Sequence, residues 1–147
     1  MQLPEYITKA EVRRVCAELG IRDWTALTKA EVTLDEARRI QAEVGGETAD
    51  LTPEQFCQGL EVELEHGITF PDANVTNNHP LLTGKIVLAH LKEMLDYYDR
   101  LNVAELEGDL LKATRAGNGE KMLSLYRRLL TARAALVAAE AKAVVPA

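Results

Sequence analysis

The stretch 52-TPEQFCQGLEVELEHG-67 decides the fold class, because it must form either a helix or a strand. As a strand, it would place its three alternating glutamates on one face. As a helix, it starts with a capping box between Thr52 and Gln55 and has Pro53 at the first helical position. Its apolar residues recur at helical spacing: Phe56, Cys57, Leu60 and Leu64. We therefore predict a helix over 53–66 that stops at Gly67.

The same start signal occurs twice more, at Thr8–Glu11 and Thr33–Glu36. The two stretches that follow, TKAEVRRVCAELG (8–20) and TLDEARRIQAEVG (33–45), match at seven positions and each ends in glycine. They indicate either a duplicated helix or two helices that are alike through composition alone. Their predicted buried stripes are Val12, Val15, Cys16, Leu19 and Ala37, Ile40, Gln41, Val44. Trp24, between them, is predicted to anchor the connector to the core.

The second half of the chain also shows helical periodicity. Residues 68–81 have the composition of a loop, with two prolines and three asparagines. The segment 82–101 is apolar over more than half of a helix circumference and is predicted to be the central, most buried helix. A fifth helix should end near 116, before Gly117, and a sixth should span 120–143. The sequence thus predicts an all-α single domain of about six helices around the central helix 82–101.

Charge and composition restrict the classes of function. A net charge of -6 and a pI near 5.1 disfavour nucleic-acid binding, which depends on clustered Lys and Arg. No apolar run reaches the roughly 18 residues of a membrane span, and the start has no signal-peptide pattern, so we expect a cytoplasmic protein without membrane contact. Cys16 and Cys57 both fall on apolar stripes and are predicted to be reduced and buried.

Two predicted helices carry the candidate site, as Glu63-x-x-His66 and His90-x-x-Glu93. Residues three apart share a helix face, so Glu63, His66, His90 and Glu93 could bind a metal, with zinc or iron suited to these ligands. The alternative is a structural hydrogen bond between Glu63 and His90 that locks the two helices together. Acid/base chemistry is a third possibility. Glu61 and Glu65 are predicted to face solvent, and His79 to lie in the loop or at a helix start.

The sixth helix has two apolar stripes, whereas a surface helix needs only one. They consist of Met122, Leu125, Leu129, Leu136 and of Leu123, Tyr126, Leu130, Val137. The second stripe predicts either several neighbouring helices or an interface. Because no nucleophile elbow, phosphate loop or metalloprotease motif marks an enzyme, we favour a non-enzymatic module that acts through a protein partner or a homo-oligomer formed by the 120–143 helix. No cofactor is predicted beyond the possible zinc or iron.

The stretches EARRI, FCQGLEVELEHG and NVTNNHPLLTGKIVLAHLKEMLDYYDRL resemble an uncharacterised small helical domain family of bacteria and phages, a domain of unknown function. The resemblance covers about 33–106. It leaves 1–32 as an N-terminal helical addition and 107–147 as a C-terminal extension of one helical domain, 1–147. It implies that Glu63, His66, His90, Glu93 and the pair Tyr97 and Tyr98 belong to the family pattern. We place both tyrosines in the structural polar contact with Glu63 and His90. The resemblance implies no activity.

Overall fold

The computed structural model describes residues 4–46 and 51–144. They form six α-helices and one 3-10 turn, Trp24–Ala26, and contain no strand. The helices are α1 (Lys9–Leu19), α2 (Leu34–Val44), α3 (Pro53–Thr69), α4 (Pro80–Glu93), α5 (Tyr97–Arg115) and α6 (Gly119–Val144). The predicted all-α class is confirmed. None of the helices in these two ranges has the length and apolar content needed to cross a membrane.

The chain divides into two compact units, Met1–Lys92 and Glu93–Ala147. The first contains α1 to α3 and all of α4 except its last residue, and the second contains α5 and α6. The sequence predicts one helical domain, 1–147, with an addition over 1–32 and an extension over 107–147.

The predicted continuous helix 82–101 is wrong, because residues 94–96 form a turn between α4 and α5. Two of its predicted buried residues, Met94 and Leu95, are exposed there, and so is Ile86 in α4. Residues 94–96 include neither glycine nor proline. The chain is turned by the backbone hydrogen bond from Tyr97 N to the carbonyl of Met94, at 3.1 Å. A break without a breaker residue leaves no signal in the sequence.

The third helix also differs from its prediction at its end, since α3 continues through Gly67 to Thr69. Gly67 is therefore not a stop. A Cβ atom at this position would collide with the side chains of Asn78 and Asn74, the latter at 2.9 Å from its Nδ2. Asn74 Nδ2 also donates to the carbonyl of Gly67 at 3.0 Å. The glycine allows the 70–79 loop to lie directly against the last turn of α3.

The helix starts follow the predicted capping chemistry. Both reciprocal hydrogen bonds of the capping box are present at Thr33 and at Thr52. At Thr8 the hydroxyl accepts from Glu11 N, but the Glu11 side chain binds Arg14 instead of the cap. Pro80 begins α4 at the position where a missing N–H costs least.

The core of the first unit consists of large, fully buried side chains from all of its elements: Val12, Trp24, Ile40, Phe56, Leu60, Leu64 and Val87. Trp24 is completely buried, as predicted for an anchor. Helix α4 approaches α2 and α3 closely at Gly84. A Cβ atom there would lie 2.8 Å from Val44, 3.0 Å from Ile40 and 3.2 Å from Phe56.

The second unit is a pair of helices, α5 and α6, joined by the turn 116–118. Gly117 has a φ of 65°, and Asn118 N donates to the carbonyl of Ala113, which closes α5 with a Schellman-type cap. The side chain of Asn118 then accepts from Lys121 N and starts α6. The helices share a core of Leu106, Ala113, Leu125, Leu129 and Ala132. Ion pairs Arg100–Glu140 and Glu107–Arg133 show that they run antiparallel.

Candidate functional site

The structure brings three of the four predicted site residues together around the Glu63 carboxylate. His90 Nε2 lies 3.4 Å from Glu63 Oε1, and His66 Nδ1 lies 3.7 Å from Glu63 Oε2. Glu63 is largely buried, with 13% of its side chain exposed, whereas His66 is half exposed. The His90 contact is slightly longer than a usual hydrogen bond, and the His66 contact is longer still. Glu63 thus links α3 to α4 through His90.

The remaining predicted site residues, Glu93, Tyr97 and Tyr98, belong to the second unit. Glu93 is an exposed side chain at the last residue of α4. Tyr97 and Tyr98 open α5, where their rings meet edge to face with centroids 5.2 Å apart. Tyr98 is buried. Within the described parts of the chain, no group of three or more His, Cys, Asp or Glu side chains could hold a metal ion.

Glu61 is not the solvent residue that helical spacing predicts. Its carboxylate accepts the backbone N–H of Val32 at 3.0 Å, and the thiol of Cys57 donates to the carbonyl of Val32 at 3.3 Å. Two side chains of α3 therefore hold the segment that leads into α2. Cys57 and Cys16 are free and buried, as predicted. Burial raises the pKa of the Cys57 thiol to about 11, so it is a poor nucleophile at neutral pH.

Sequence reasoning missed Glu36, the most buried carboxylate among the described residues of the first unit, which is 4% exposed. Arg22 binds it with two side-chain hydrogen bonds, Nε to Oε1 at 2.9 Å and Nη2 to Oε2 at 2.6 Å. Thr33 N donates to Oε2 at 2.9 Å. Burial alone would raise the pKa of Glu36, but the bonds from Arg22 and Thr33 outweigh it and lower the pKa to about 2. This pair fixes the connector between α1 and α2.

His79 is buried immediately before α4, at the helix start that was one of its two predicted locations. Its Nδ1 accepts the N–H of Leu82 at 3.4 Å, which helps to cap the first turn. Burial lowers the pKa of His79 and so favours the neutral ring. Just before it, Asn77 and Asn78 have positive φ angles of 49° and 61°. Asn77 Nδ2 donates to Glu5 Oε1 at 2.7 Å, which ties the loop to the N-terminal segment.

Helix α6 exposes a regular row of apolar side chains. One of its predicted stripes is packed on α5, through Leu125 and Leu129. The other predicted stripe faces solvent. Together with Val144, which continues it, its residues are each 49% to 79% exposed. We call this set the α6 row: Leu123, Tyr126, Leu130, Val137 and Val144. Val144 continues the seven-residue spacing of Leu123, Leu130 and Val137, a signal that could have been read from the sequence.

The geometry of the described residues defines an all-α helical module with a Glu63–His90 contact in its first unit and an exposed apolar face on α6. The chain belongs to the family "Protein of unknown function (DUF5661)", whose sequence pattern matches residues 12–107. The match starts well before residue 33 and so takes in most of α1, which extends the resemblance towards the N-terminus. Helix α6 lies beyond the matched residues. No curated protein and no solved structure matches the chain.

Proposed function

We propose that this protein is a helical association module that binds a second copy of itself through the α6 row. The observation that carries the proposal is the exposure of a regular row of large apolar side chains on a helix whose adjacent apolar stripe is already buried against α5. A periodic apolar row of this kind is typical of helix–helix interfaces. Single exposed apolar residues would need no explanation, but five on one helix face do.

The Glu63 cluster has a structural role in this proposal. His90 and Glu63 connect α3 with α4, and the predicted metal ligand Glu93 is an exposed side chain at the end of α4. A carboxylate that is mostly buried is costly without a partner, and His90 supplies one. We therefore favour the packing role over zinc or iron binding. We also place the protein in the cytoplasm, because both of its cysteines are free thiols.

The size of the α6 row sets the expected strength of self-association. Burying the exposed half of a leucine or valine contributes about 1 kcal/mol, so about eight to ten row side chains in a dimer contribute on the order of 10 kcal/mol. Association itself costs roughly 4–15 kcal/mol in lost freedom. We therefore expect a weak dimer, with a dissociation constant on the order of micromolar or above.

Leu130→Glu tests the proposal by sedimentation equilibrium over protein concentrations from micromolar to near millimolar. In a two-fold dimer the change removes two apolar contacts and introduces two carboxylates into the interface, which should weaken association by roughly 30-fold or more. The matched control is Ala135→Glu, which adds the same charge about 140° around α6, on its polar side. Far-UV circular dichroism verifies that both variants keep their helices.

The expected result is a dimer for the parent chain and for Ala135→Glu, and a monomer for Leu130→Glu. A parent chain that stays monomeric over the whole concentration range would reject the proposal. Equal weakening by both substitutions would also reject it, because the effect would then arise from charge on α6 and not from the row.

A further inference from the structure

The spacing of the α6 row specifies how two copies can pair. Leu123, Leu130 and Val137 follow one another at intervals of seven residues, and Leu130 is the midpoint of the three. Tyr126, three positions after Leu123, adds another apolar residue on the same face of α6. A two-fold rotation about Leu130 exchanges the positions of Leu123 and Val137, so these three residues superpose on themselves. The row fits a second copy in either a parallel or an antiparallel arrangement.

The charged residues beside the row distinguish the two arrangements. Arg133 and Glu140 occupy the positions that follow Tyr126 at intervals of seven. A parallel pair places each residue opposite its own copy, so Arg133 would face Arg133 and Glu140 would face Glu140. Like charges in direct opposition weaken an interface. An antiparallel pair avoids both oppositions, because residues that face each other then come from different turns of α6.

Among antiparallel registers, the one centred on Leu130 places Leu123 opposite the partner's Val137. It also brings Arg133 within one residue of the partner's Tyr126, on the same side of the contact. An arginine over a tyrosine ring is a favourable pairing. A register shifted to the midpoint between Arg133 and Ala134 would instead bring the two Arg133 side chains together. The chemistry beside the row thus supports one register over its neighbour.

The charged residues on one side of the row form ion pairs with α5 in the same copy. Arg133 is bound by Glu107 at 2.6 Å and Glu140 by Arg100 at 2.8 Å, so both side chains lie on the side of α6 that adjoins α5. On the other side of the row, Arg127 forms no ion pair with any residue in 4–46 or 51–144. In the Leu130-centred register Arg127 lies near the partner's Ala134. The two Arg127 side chains are about 9 Å apart along the helix axis.

We propose that two copies pair antiparallel through α6, with the two-fold axis at Leu130 and Arg133 packed against the partner's Tyr126. This inference rests on the proposed self-association and specifies its geometry. The overlap extends over about 23 residues of each α6, or roughly 34 Å. Val144 lies beyond it.

Cysteine cross-linking tests the geometry in the full chain. Three single variants are oxidised at a concentration where the parent dimerises: Leu123→Cys, Leu130→Cys and Val137→Cys. A disulfide requires Cα atoms within about 7 Å. Leu130→Cys should therefore link to itself, while Leu123→Cys should not, because its two copies are about 21 Å apart along the axis. A mixture of Leu123→Cys and Val137→Cys should form a mixed dimer. The parent chain, whose own cysteines are buried, is the control.

Each pattern on a non-reducing gel has one reading. Links in Leu130→Cys and in the mixture, but not in Leu123→Cys alone, support the inference. Self-linked Leu123→Cys shows a parallel pair, and an unlinked Leu130→Cys shows another register or another face. Either of these results overturns the inference. The self-association itself is judged separately by sedimentation of the parent chain, so its failure can be distinguished from a wrong orientation.

Discussion

Glu36→Gln tests the energetic role of the buried ion pair between Glu36 and Arg22. The glutamine has nearly the same shape and can still accept from Thr33 N, so the capping bond is kept. It carries no charge, however, and its amide cannot accept from both Arg22 donors. The lowering of the Glu36 pKa from 4.5 to about 2 corresponds to roughly 3 kcal/mol of preference for the charged form. Because the Arg22 side chain is 44% exposed, solvent screening reduces the expected loss to about 2 kcal/mol.

The assay is urea unfolding monitored by the fluorescence of Trp24, which is the single tryptophan of the chain and is fully buried. The matched control is Glu11→Gln. Glu11 has the same position in the first helix as Glu36 has in the second, yet it lies at the surface and binds Arg14. The control should leave the unfolding midpoint almost unchanged. Equal midpoints for the two variants would refute the reasoning.

The pH dependence follows from the same pair. A carboxyl whose pKa is lower in the folded than in the unfolded protein stabilises the fold above its unfolded pKa. That stability is fully present above about pH 4.5 and is lost as the pH falls towards about 2. Glu36→Gln should therefore unfold with a flatter dependence on pH than the parent in this range. Parallel curves for the two proteins would contradict the assignment.

Two further predictions concern Gly84 in α4 and His79 at its start, with Gly108→Ala in α5 as a control. Gly84→Ala should destabilise the first unit by about 1–3 kcal/mol through overpacking, measured in the same urea titration. At Gly108 an added Cβ has no neighbour within 4 Å, so Gly108→Ala should be neutral or stabilising by up to about 1 kcal/mol. Equal effects of the two substitutions would show that α4 does not lie this close to its neighbours. The lowered pKa of His79 predicts that stability falls as the pH drops below its unfolded value of 6.5, since the unfolded chain then binds the proton more readily. His79→Asn should flatten the curve between pH 7 and 5, and an unchanged slope would count against the buried neutral ring.

The helices were largely readable from the sequence because their signals are local. Capping residues at Thr33 and Thr52 act within one turn of the chain, and apolar spacing follows from helix geometry alone. The same reasoning placed His90 next to Glu63, since two helix faces can be assigned from spacing. It failed at Gly67 and at residues 94–96. Gly67 is required because the 70–79 loop packs against it, which its neighbours in sequence do not reveal. At residues 94–96 no glycine or proline marks the end of the helix.

The sequence by itself determined that this chain is all-α, where most helices begin, and that α6 has more apolar surface than one neighbour can cover. Each of these depends on residues within a few turns of one another. Only the tertiary structure decided that Glu36 is a buried ion-pair residue while its counterpart Glu11 is a surface one, and which of the two α6 stripes faces solvent. The physical reason is that burial depends on which distant segments pack together. Two helices with nearly the same letters therefore acquire different chemistry from their surroundings.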